Sequence, residues 1–154
     1  MTTAQLVSLT TAQIGGLGTD DVKALATSQL VLLGTEQVQA LTTAQVLNLT
    51  TAQIVSLTSS QFLAVEGRDI GALSTQQFVN LTTTQLTSLT SSQIQGIENE
   101  DLGALSTSQI QLFSTQQIAA LTSAQVSGFS TQQLEALTSS QLQAIETRDI
   151  VGFT

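Results

Sequence analysis

Residues 41–61 read LTTAQVLNLTTAQIVSLTSSQ, and set out in eights the stretch repeats as L-[ST]-[ST]-x-Q-[LIV]-x-x. The same octad runs outward to both ends. Leu recurs at 9, 17, 25, 33, 41, 49 and 57, and the series continues through Val65, Leu73, Leu81, Leu89, Ile97, Leu105, Phe113, Leu121, Phe129, Leu137, Ile145 and Phe153 without an insertion. Nineteen octads plus two residues account for 1–154, which reads as a single octapeptide-repeat solenoid and as a piece of a longer array. Position five is Gln in fifteen octads and Asp in four, at Asp21, Asp69, Asp101 and Asp149. Position six is always Leu, Ile, Val or Phe, and position three is Ser or Thr except at Gly67 and Asn99. A fixed period of this kind decides the architecture before local propensities do.

Each octad carries a helix start. In Leu41-Thr42-Thr43-Ala44-Gln45-Val46, Thr42 and Gln45 have the spacing of a capping box, and Leu41 and Val46 that of a hydrophobic staple. A rival phase makes position three the N-cap, which would explain its stricter composition; position two is preferred because the staple then fits. One continuous helix is excluded. Eight residues at about 100° each would swing the apolar stripe by about 80° per octad. The alternative is an all-α solenoid of very short helices, one per eight-residue repeat, each too short to persist alone and held by stacking.

A second period sets the expected coil. Phe62 and Phe78, Phe113 and Phe129, and Gly18 and Gly34 lie 16 apart, and the octads bearing Asp begin at multiples of 16 from one another. Two helices, or 16 residues, per coil follow from this, which would give a rod on the order of 80–90 Å at a helix spacing of about 8–10 Å. The structural rival is a β-solenoid, since Thr, Val and Ile favour strands. The motif lacks strand alternation, however, and the helix-start signature is the more specific signal.

Composition excludes several classes of function. Charged residues are 9% of the chain, against about 25% in ordinary domains. Eleven acids against three bases give a net charge of −8, the wrong sign for displacing counterions from nucleic acid. No apolar run approaches the roughly 18 residues of a membrane span. His and Cys are absent, so the usual general bases and nucleophiles are missing and an enzyme is not expected. The abundant Ser and Thr occupy periodic capping positions. No cofactor is implied.

The charge gathers in the variant octads: Asp20, Asp21 and Lys23; Glu66, Arg68 and Asp69; Glu98, Glu100 and Asp101; Glu146, Arg148 and Asp149. Glu98, Glu100 and Asp101 have the hard oxygens of a weak Ca²⁺ site. Acids in a first helical turn, favoured by the helix dipole, explain them as well, and no metal ligand is assigned. The candidate interaction strip is Val31, Leu47, Leu63 and Val79, apolar at position seven of alternate octads where the C-terminal half has Gln95, Gln111, Ser127 and Gln143. If exposed, it marks a partner surface; if part-buried, it thickens the core. Regular Thr rows also raise an ice-binding reading, although capping already claims those hydroxyls.

The run LTTAQVLNLTTAQIVSLTSSQ resembles the octapeptide-repeat regions of large bacterial surface or secreted proteins labelled haem-utilisation or adhesion proteins. The resemblance covers the whole chain and implies an extracellular or cell-surface spacer, stalk or assembly scaffold. No haem ligand carries over, because His is absent and Met1 is the single Met. The alternative is an adhesin-like module that binds protein or glycan along one face. Self-association, side by side or head to tail, is the expected partnership, with no nucleic acid and no membrane insertion.

Overall fold

The computed structural model describes residues 1–145. Among them run eighteen helices, from α1 (Thr3–Val7) to α18 (Ser139–Ala144), each of four to six residues, and no strand. The β-solenoid alternative is thereby overturned. The Thr residues at position two stand extended one at a time, and each starts a helix whose first residue is the Ser or Thr of position three.

The start is the capping box in the phase that makes position two the N-cap. Thr42 (φ −74°, ψ 156°) opens α6 (Thr43–Asn48). Its Oγ1 accepts from the Gln45 amide at 3.3 Å, and its own N–H donates to Gln45 Oε1 at 2.7 Å. Where position two lacks a hydroxyl but position five is Gln, half of the box survives: the N–H groups of Ala26 and Gly34 still donate to Gln29 and Gln37. Each helix closes when the position-one N–H returns to the carbonyl of position six, as in Leu49 to Val46 at 3.1 Å and Leu57 to Ile54 at 3.2 Å. Position two is then already the next N-cap. The helix cannot grow, because its successor begins at once.

Stacking corrects the expected coil. α3 (Thr19–Lys23) packs on α6, α6 on α9 (Gly67–Gly71), and α9 on α12 (Ser91–Gly96). In the same way α5 (Thr35–Gln39) packs on α8 (Ser59–Ala64) and α10 (Thr75–Val79) on α13 (Asn99–Ala104). Partners are therefore three helices apart, an interval of 24 residues. Hydrogen bonds from the position-five Gln side chains to the coil before span 28 to 31 residues, as from Gln45 to Leu17 and Ile14. A coil thus takes between three and four octads rather than two. The physical reason lies in the junction. With position one pinned to the preceding helix and one extended residue at position two, each link bends the path only part of the way round. The described chain makes five to six coils, so at about 8–10 Å per coil the stack is about 50 Å long, shorter than the 16-residue coil required.

The two apolar columns interdigitate between coils. Position six faces the coil that follows: Leu6, Ile14, Val22 and Leu30 are fully buried in the first coil, whereas Leu142 is 47% exposed in the last. Position one faces the coil before: Leu9, Leu17 and Leu25 are half-buried, while Phe129, Leu137 and Ile145 are buried. Interior octads close both columns, as Leu41 and Val46 do.

Candidate functional site

The most regular feature is a ladder of glutamine side chains. The position-five Gln sits in the first turn of its helix with Oε1 turned back to the N-cap, which leaves Nε2 pointing at the preceding coil. Gln93 shows the full pattern. Its Oε1 accepts from the Thr90 N–H at 2.9 Å, and its Nε2 donates to the carbonyls of Phe62 at 3.1 Å and Val65 at 2.8 Å. Gln61, Gln117, Gln125 and Gln133 repeat the inter-coil pair at the same separations of 31 and 28 residues. These side chains are buried, whereas Gln5 and Gln13 in the first coil are exposed. One amide therefore caps its own helix and bonds two main-chain carbonyls of the coil below. Sequence reasoning found only the first role. The signal for the second was present, since a capping box accepts Glu as readily as Gln, yet none of the nineteen octads has Glu at position five.

Aspartate breaks the ladder. Asp69 and Asp101 are each 2% exposed, and a carboxylate cannot donate to the carbonyls that Gln would reach. At Asp69 the charge is met by other groups: Thr43 Oγ1 donates to Oδ1 at 2.6 Å, Arg68 Nε lies 3.6 Å from Oδ1, and Arg68 also pairs with Glu66 at 3.0 Å. At Asp101 the equivalent hydroxyl, on Thr75, donates to one oxygen, but Oδ2 is buried without a hydrogen-bond partner. Burial pushes the Asp101 carboxyl above the usual range; the Thr75 hydrogen bond opposes this, and the negative fields of Glu98 and Glu100 add to it. Glu98 and Glu100 are exposed, and among the described residues no group of three acids converges as a metal centre would require. Asp20, Asp21 and Lys23 lie exposed on the first coil, and Glu146, Arg148 and Asp149 lie outside the described residues.

The position-three exceptions have a packing cause rather than a capping one, because position three is the first helical residue. A side chain at Gly67 would place its Cβ 2.6 Å from the Ser92 carbonyl, and one at Gly71 would place it 2.1 Å from the Gly96 carbonyl. α9 and α12 therefore meet backbone to backbone. No glycine among the described residues has positive φ, so the requirement here is room. Asn99 Nδ2 donates across the same kind of seam to the Ala124 carbonyl at 3.0 Å.

The candidate strip does not form a line. Leu47 and Leu63 are 48% and 44% exposed, while Val31 and Val79 are half-buried and Val79 packs on the core. Helices pack at an interval of 24 residues, so strip neighbours 16 apart lie on helices that do not stack directly on one another. Leu63 instead borders an open groove of about 700 Å³ with Glu66, Arg68, Ser92 and Gln95. No helix among the described residues is long and apolar enough to cross a membrane.

These features define a repeat protein: an all-α solenoid joined by side-chain amides. The ALTTAQ repeat is matched at residues 1–27, 16–51, 62–96 and 94–131, together well over half of the chain, and the chain belongs to that family. No curated protein and no solved structure matches it.

Proposed function

We propose that the chain is a non-catalytic spacer, stalk or assembly scaffold within a secreted or surface-exposed bacterial protein. The observation that carries this reading is the sameness of the Gln ladder from Gln45 to Gln141. Gln45, Gln53, Gln61, Gln93, Gln117, Gln125, Gln133 and Gln141 each bond the same two carbonyls, of positions six and one, while Gln77, Gln85 and Gln109 reach the same junction through one of these or through position seven. Stability in such an array is close to a sum of nearest-neighbour terms, so length can change without loss of fold.

The test is deletion by single octads. Removing 113–120 gives up the single Asn99–Ala124 hydrogen bond but leaves every remaining Gln with carbonyls of the same octad positions to bond, and should shorten the particle while the chain stays folded. Removing 73–80 brings Gly67 and Gly71 out of register with Ser92 and Gly96, and should be far more damaging. Small-angle scattering for length and circular dichroism for helix content distinguish these outcomes. Equal collapse in both deletions would sink the spacer reading.

A second reading, as an adhesin-like module for protein or glycan, is favoured by the groove beside Leu63, where an apolar side chain borders the Glu66–Arg68 pair. The exposed Leu47 and Leu63 also support side-by-side self-association. The spacer reading assigns no ligand to the groove; the binding reading predicts that a partner is lost on changing Leu63 or Arg68 alone.

A further inference from the structure

The Gln ladder assigns each interior position-five side chain the role of donor to the coil before it. The separations of 31 and 28 residues by which Gln93 reaches the carbonyls of Phe62 and Val65 count back from Asp101 to Ile70 and Leu73, the equivalent octad positions. Asp101 is as buried as its glutamine counterparts, and its Oδ2 is without a hydrogen-bond partner. An ionised carboxylate there offers acceptors to acceptors. A protonated one has a hydroxyl where the ladder needs a donor.

We propose that Asp101 makes the seam beneath α13 a protonation-sensitive joint. With the proton on Oδ2, the joint regains the side-chain donor that a Gln supplies at the other seams; with the proton lost, the seam holds an uncompensated charge and is where the solenoid opens first. Burial supports this reading, because it favours the neutral acid. The neighbours do not supply a counter-charge. α10 brings the Thr75 hydroxyl and no ionisable group, and α16 (Ser123–Ser127) brings none. On α9, Arg68 is spent on Glu66 and Asp69, and the carboxylates of α13's own start, Glu98 and Glu100, oppose ionisation. Asp69 differs through its arginine, which keeps its seam supplied with positive charge. A divalent cation fits less well, since it needs six or more oxygens and the adjacent acids point to solvent.

The sign follows from linkage. The folded carboxyl titrates above its unfolded value of 3.8, so its contribution to stability is fully present below about that pH and is lost as pH rises through the folded value. The experiment measures unfolding of the full chain from pH 4 to pH 8 for wild type, Asp101→Asn and Asp101→Gln, with hydrogen exchange read at the amides of residues 70–73 and 102–105. Both variants supply a fixed donor. The ratio of wild-type to Asp101→Asn unfolding constants should rise by up to about tenfold per pH unit across the window between the two pKa values, one proton's worth. Protection of the seam amides, taken relative to their intrinsic exchange rates, should fall toward neutral pH in wild type alone. A ratio constant with pH overturns the proposal, as does an Asp101→Gln variant less stable than wild type at neutral pH. A midpoint raised by millimolar Ca²⁺ in wild type but not in Asp101→Asn would also overturn it, in favour of a cation at the seam.

Discussion

Replacing Gln93 by Glu separates the two jobs of the position-five amide. The carboxylate keeps an oxygen for the Thr90 N–H at 2.9 Å, and a negative group in a helix's first turn is favoured by the dipole, so the capping box survives. The other oxygen replaces Nε2 opposite the carbonyls of Phe62 and Val65, at 3.1 and 2.8 Å. Two hydrogen bonds at about 0.5–1.5 kcal/mol each are lost. Because the side chain is 2% exposed, the new carboxyl either takes up a proton, costing about 1.4 kcal/mol per unit of pKa shift, or stays charged at greater cost. We expect Gln93→Glu to destabilise by about 3–5 kcal/mol at neutral pH. Part of this should return on acidification, when the protonated group can donate to one carbonyl. Gln13→Glu is the matched control. Gln13 is exposed and caps Thr10 with the same geometry but bonds no other coil, so the change there should stay within about 0.5 kcal/mol. Denaturant unfolding at pH 7 and pH 5, with exchange localising the damage, reads both. If the two substitutions cost the same, the box rather than the ladder holds the coils, and the reasoning fails.

The glycine seam gives a contrast of sign. Gly96→Ala puts a Cβ 2.1 Å from the Gly67 carbonyl, and this overpacking should cost about 1–3 kcal/mol despite Ala's better helix propensity; Gly103→Ala meets nothing closer than 3.7 Å and should gain about 0.5–1 kcal/mol, both read by thermal unfolding. On the surface, changing Leu47 and Leu63 to Gln should lower the sedimentation coefficient at high concentration if these side chains mediate self-association, with unchanged sedimentation counting against it.

The fold class was legible because the octad states its local structure twice, in the capping box and in the staple pair. Leu41, Thr42, Gln45 and Val46 fixed the phase, the helix length and the buried positions. The coil was not legible. The 16-residue echo of Phe62 with Phe78 and of Val31 with Leu47 is two octads, and nothing in a helix start says how far each junction bends the path. That angle is set by backbone at positions one and two, which is nearly the same in every octad and so leaves no mark in the pattern of side chains. The candidate strip of Val31, Leu47, Leu63 and Val79 was laid out on that same 16-residue coil, which the stacking replaces. The ladder was half legible. The preference for Gln over Glu was readable, but its cause lies about 30 residues back in the chain, beyond any local rule. The buried role of Asp101 follows from that same long-range register.

A coil that is not a whole number of octads has a consequence for how such an array can vary. Because helices do not stack in straight columns, most interior Gln side chains reach both the end of one helix and the start of the next, as Gln45 does at Ile14 and Leu17. The amide therefore ties together two octads of the coil below, and each octad is tied from above by two others. Any insertion or deletion of eight residues regenerates these ties from identical positions, whereas the individual features, Gly67 against Ser92 and Thr43 against Asp69, depend on one spacing alone. The array can thus lengthen freely outside those seams and is fixed within them. The seams, not the consensus octads, are where this chain departs from a uniform rod, and Asp101 is the one whose strength a proton can change.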